Sequence, residues 1–112
     1  LLVAPDGSQA AGLSWKADSL PCFSLWKNQG GVADGYVTGL VPGTNYPNPR
    51  SFEETQHRLV SLDPGGSVAF DLALEHLSGK RLAAARAELA RLATRPGVVH
   101  AHPQPGWSAG VG

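Results

Sequence analysis

The chain is 112 residues long, with nine Lys and Arg against nine Asp and Glu, a formal net charge of +0 at pH 7, and charged residues at only 16%. That length allows one core and no second one, and that balance excludes a globally basic nucleic-acid binder. A single cysteine, Cys22, excludes an internal disulfide scaffold, while 14 Gly and 9 Pro point to short elements joined by many turns.

In chain order, Leu1 to Ala4 reads as a strand, Pro5-Asp6-Gly7-Ser8 as a turn, and the run through Leu13 and Trp15 as the second arm of a hairpin. Cys22 to Lys27 and Tyr36 to Val41 read as two further strands, bounded by Leu20-Pro21 and Gly30-Gly31. From Pro42 to about Thr55 the sequence predicts a polar loop, and Arg58 to Leu62 a short strand that meets the turn signal Asp63-Pro64-Gly65-Gly66. Between Val68 and Glu75 apolar and mostly polar residues alternate, which predicts a strand with one apolar face carrying Val68, Phe70, Leu72 and Leu74. Ser78 is placed to cap a helix from about Lys80 to Ala93, with Leu82, Ala85, Leu89 and Leu92 on one stripe. Arg95-Pro96-Gly97 stops it, and Val98 to Pro105 returns to extended chain.

The fold class expected is therefore mainly β and antiparallel, with one amphipathic helix late in the chain. The domain is single and partial over 1–112: strand-rich over 1–77, helical over 78–95, extended over 96–112. Charge follows that division, because residues 1–79 carry four basic and eight acidic residues and residues 80–112 carry five and one. No apolar run approaches the roughly 20 residues needed to cross a bilayer, so no membrane partner is expected. A lone thiol suits a reducing, cytoplasmic compartment. The chain opens at Leu1 within what reads as a strand, as a piece of a longer protein would, and a cut sheet edge predicts self-association.

Three stretches carry a resemblance: YVTGLVPGTNYPNPRSFEE, LDPGGSVAFDLALEH and HPQPGWS. Together they resemble the C-terminal part of the aldose 1-epimerase (galactose mutarotase-like) family, in its epimerase-like branch of unknown function. The resemblance implies a larger antiparallel β-sandwich with a sugar in a cleft on the concave face of one sheet, and no cofactor. It also implies a Glu that takes the proton from the anomeric hydroxyl, with acid and substrate contacts from His residues earlier in the chain. The position matching that Glu is Val41, which transfers no proton.

Sugar recognition needs aromatic faces for the apolar side of a pyranose and planar donors and acceptors for its hydroxyls. Trp26, Lys27, Asn45, Tyr46, Asn48 and Arg50 offer such groups and are the candidate substrate-binding residues. Asp34, Glu53 and Glu54 bracket the same loop and are the carboxylates that could stand in for the base. The bland alternative has Trp26 and Tyr46 as partly buried core or loop-anchor aromatics, Asn45 and Asn48 setting turns, and Arg50 pairing with Glu53 or Glu54. His100-Ala101-His102 lacks a third ligand nearby, so no metal site is expected.

Two functional readings follow. One is an aldose 1-epimerase-like isomerase interconverting or recognising sugar anomers. The other is a non-catalytic sugar-binding relative or a structural fragment, as Val41 suggests.

Overall fold

The structure is a computed structural model and describes residues 1–94 and 97–110. Strands β1 (Leu2–Val3) and β2 (Gln9–Trp15) pair antiparallel, with Leu2 opposite Ala11 and Val3 opposite Ala10. The turn between them is closed by the Ala4 N–H donating to the Gln9 carbonyl and by Asp6, whose carboxylate accepts the backbone N–H and hydroxyl of Ser8. Strands β3 (Cys22–Lys27) and β4 (Thr38–Gly43) form a second antiparallel pair in continuous register from Cys22 opposite Gly43 to Lys27 opposite Thr38. Helix α1 (Arg50–Thr55) follows, then strand β5 (Leu72–Ser78) and helix α2 (Gly79–Leu92). The fold is mainly β with antiparallel pairing and a late helix, the expected class.

The chain divides into two compact units. The first takes in Leu1–Ser14 and Leu72–Ala101 and holds a sheet of order β1-β2-β5 with α2 against β5. Its core is small: Ala10, Leu77 and Leu82 are buried and Ala85 packs on them. The second takes in Trp15–Asp71 and the segment from His102 on, and holds the β3-β4 ribbon and α1. Here the Trp15 ring stacks on Phe23 at 5.3 Å, its indole N–H donates to the Leu20 carbonyl, and Leu20 and Cys22 are buried.

Several expected elements shift, each for a physical reason. β4 begins at Thr38, two residues after Tyr36, because a 3-10 turn over Val32–Asp34 and the bend at Gly35 occupy the chain before it. The end of the expected polar loop is helical, because Pro49 ends the extended chain and its carbonyl accepts the N–H groups of Phe52 and Glu53. Residues 58–62 form no strand: Arg58 is turned inward against Glu53, and Val60 and Leu62 stay exposed.

β5 starts at Leu72, so the apolar alternation from Val68 to Asp71 lies outside any strand. Leu72 and Leu74 are exposed, and the side chain β5 buries is Leu77, on the opposite face by strand alternation. In α2 the apolar stripe is buried at Leu82 only, and Leu89 and Leu92 are exposed. Ser78 does occupy the N-cap position, though its side chain makes no cap hydrogen bond. Arg95 and Pro96 of the expected stop signal lie outside the described residues.

Candidate functional site

The polar centre of the second unit is built on Glu53, which is fully buried. α1 ends in a left-handed turn: Gln56 is the C-cap, His57 takes φ 55°, the His57 N–H donates to the Glu54 carbonyl and the Arg58 N–H to the Glu53 carbonyl. That pair of bonds is a Schellman closure. It folds the chain back so that the Arg58 side chain returns along α1 to the Glu53 carboxylate.

Arg58 Nε donates to Oε2 and Nη2 to Oε1, both at 2.7 Å. Asn48 Nδ2 donates to Oε1 at 2.7 Å and the Tyr46 N–H to Oε2 at 3.2 Å, so four donors surround one carboxylate. The Arg58 fork above all, with Asn48 and the Tyr46 N–H, outweighs the burial that opposes it and holds Glu53 down at about 2, against an ordinary 4.5. Glu53 in turn raises the Arg58 pKa. The guanidinium also lies over the Tyr46 ring, 5.1 Å from its centroid. A carboxylate so thoroughly committed accepts no further proton near neutral pH, which removes Glu53 as a base.

A second feature is one face of the β3-β4 ribbon. Register places Trp26 opposite Gly39 and Ser24 opposite Val41, so Cys22, Ser24, Trp26, Gly39, Val41 and Gly43 share one face. A Cβ built at Gly39 would stand 3.5 Å from Trp26 Cβ and 3.3 Å from Val41 Cγ2, so these three positions adjoin. Trp26 is 54% and Val41 49% exposed, leaving an open apolar surface with an indole in it.

The six candidate substrate-binding residues fall into separate places. Trp26 is on this ribbon face, and Lys27, its neighbour in the strand, projects from the other. Asn45 and Tyr46 are partly buried in the loop after β4, where Asn45 accepts the Thr44 hydroxyl and donates to the Tyr46 carbonyl. Asn48 is part of the Glu53 cluster. Arg50 is exposed at the start of α1, and Glu53 takes Arg58 as its partner instead. Asp34 and Glu54 are exposed.

Sequence reasoning missed Arg58 and Trp107. The Trp107 ring lies 6.5 Å from Tyr46, and the Asn48 amide donates to the Trp107 carbonyl. The available signals were an Arg within five residues of Glu53 and the Gly106 before Trp107. Among the described residues no three His, Cys, Asp or Glu side chains cluster so as to hold a metal ion, and no helix is long and apolar enough to cross a membrane.

Residues 1–76 match a family described as a domain of unknown function, DUF4432. The chain belongs to the DUF4432 family. The match takes in the β3-β4 ribbon and the whole Glu53 cluster except its contacts with Gly106, Trp107 and Ala109. Neither a curated protein nor a solved structure matches the DUF4432 chain.

Proposed function

We propose that the chain binds carbohydrate through the open face of the β3-β4 ribbon, as an aldose 1-epimerase-like protein that recognises sugar anomers. The observation that carries this reading is the shared face of Trp26 and Val41 across Gly39. The resemblance sets the family's base at Val41, and an exposed indole beside that position is the group that a pyranose's apolar side stacks on. The place of DUF4432 within the galactose mutarotase-like superfamily supports the same reading.

Recognition without proton transfer is the form favoured here. Valine is no base, and the buried loop carboxylate is committed to Arg58. The isomerase reading is kept as the alternative because a carboxylate at position 41 would stand beside the indole. A reducing, cytoplasmic setting belongs to the same proposal on the strength of the single thiol. So does association between copies along β5, which ends the β1-β2-β5 order and exposes Leu72 and Leu74.

The test is ligand-observed NMR with a panel of common aldoses, paired with polarimetry of freshly dissolved anomers. Binding by the native chain that Trp26→Ala abolishes, with no acceleration of mutarotation, is the expected outcome. Acceleration by the native chain would establish the isomerase instead, and acceleration only in Val41→Glu would show that the ribbon face kept everything but its base. No binding of any aldose by either chain would overturn the proposal.

A further inference from the structure

We propose that residues 106–109 form a latch gripped by the side chains of the 46–58 loop, and that latch and loop open and close as one unit. Three hydrogen bonds close it, all to the main chain of the latch. Arg58 Nη2 donates to the Gly106 carbonyl at 2.7 Å, Asn48 Nδ2 donates to the Trp107 carbonyl at 3.0 Å, and the Ala109 N–H donates to Asn48 Oδ1 at 3.1 Å. The loop thus holds this segment as a binding site holds a peptide backbone, by its carbonyls and N–H groups.

Coupling follows from shared atoms. Asn48 Nδ2 serves both Glu53 Oε1 and the Trp107 carbonyl, and Arg58 Nη2 serves both Glu53 Oε1 and the Gly106 carbonyl. An amide nitrogen has two protons to give, so the closed latch spends both of those on Asn48. Asn48 is accordingly a positioning residue while the latch is shut, and a ligand reaches the N–H it gives to Trp107 only when the latch opens. The same carboxylate accepts the Tyr46 N–H, so release of Asn48 and Arg58 loosens the loop at Tyr46 as well.

The latch is also built to yield before the rest of the unit. Trp107 is 44% exposed with its ring near Tyr46, and Ala109 is exposed, which marks a region of low local stability. Its geometry depends on Gly106, at φ 83°, where a Cβ would stand 2.6 Å from Gln56 Oε1. The latch is a property of the free chain and stands whether or not a sugar binds.

Residue-resolved amide exchange by NMR on the full chain tests it. The Ala109 amide, which donates to Asn48 Oδ1, reads the latch, the Tyr46 and Asn48 amides read the loop, and the β3 amides serve as control. Gly106→Val strains the bend, and Ala109→Pro, at an exposed position, removes a single donor. Exchange at Ala109, Tyr46 and Asn48 in Gly106→Val, and at Tyr46 and Asn48 in Ala109→Pro, is expected to rise by about tenfold or more, with β3 unchanged. Should Gly106→Val speed β3 as well, the chain has unfolded and Ala109→Pro decides. A freed Ala109 amide in Gly106→Val with Tyr46 and Asn48 at native rates would overturn the coupling, as would native Tyr46 and Asn48 rates in Ala109→Pro, and a native Ala109 amide exchanging as in unstructured chain would overturn the latch.

Discussion

Arg58 and Glu53 lie five residues apart and meet as a two-point fork, Nε on Oε2 and Nη2 on Oε1. A continuous helix brings together residues three or four apart, so this pair exists only because the chain reverses at His57. The fork sits in a fully buried carboxylate, where the loss of either partner strands the other.

Glu53→Gln leaves Arg58 without its counter-charge, and its melting temperature should fall on the order of 10 °C in a thermal melt followed by circular dichroism. Arg58→Lys keeps the charge and loses the fork, and should also destabilise, because an ammonium cannot make the paired contact. A native melting temperature in Arg58→Lys would show that charge alone suffices.

Acid should erode stability through the same group. Glu53 titrates at about 2 when folded against 4.5 ordinarily, so the unfolded chain binds this proton first as pH falls. The stabilisation is complete above pH 4.5 and drains as pH falls from there toward 2. Asp6, through the Ser8 N–H, and Glu88, through Arg91, are shifted in the same direction at exposed sites and add little. Melting temperature against pH should therefore fall more steeply in that window for the native chain than for Glu53→Gln; parallel curves would rule out Glu53 as the cause.

His57 bears the cost of the reversal. A non-glycine residue at φ 55° is strained by about 1 kcal/mol, so His57→Gly should raise the melting temperature by a few degrees and His57→Val should lower it. A His57→Gly protein no more stable than the native one would mean that the exposed imidazole contributes as much as the strain costs.

Much of the strand framework was legible from local pattern. The hairpin of β1 and β2, the whole of β3, and the Ser78 boundary of α2 follow from alternation and turn chemistry that need no distant partner. α1 was not legible, because its six residues are too few to show a period and it is held by Glu53's partners at Asn48 and Arg58. Burial on β5 was misjudged for a related reason: Val68 and Phe70 continue the alternation, but the chain joins the sheet only from Leu72, and Leu77 is what faces Leu82 and Ala10. At the candidate site the residue types were readable and their allegiances were not. Choosing Arg58 over Arg50 depends on a backbone reversal, and docking Trp107 on Tyr46 spans 61 residues of chain.

Leu74, 75% exposed on β5, offers the simplest probe of association between copies. The native chain should elute with an apparent mass that rises with concentration in size-exclusion chromatography with light scattering, and Leu74→Lys should move it toward monomer, since an edge lysine discourages strand pairing. A native chain that stays a monodisperse monomer at every concentration would end that reading.

β5 passes into α2 with no intervening loop: Ser78 is the last strand residue and Gly79, at φ 51°, the first of the helix. Helical phase is thereby locked to strand phase. One residue inserted at this joint would swing Leu82 by about 100° around the helix axis, away from Ala10 and Leu77, and dismantle the only buried cluster of the first unit among the described residues. The joint between Ser78 and Gly79 is consequently the place where the chain can least accept a change of length, whereas the 63–66 turn, exposed throughout, can absorb one.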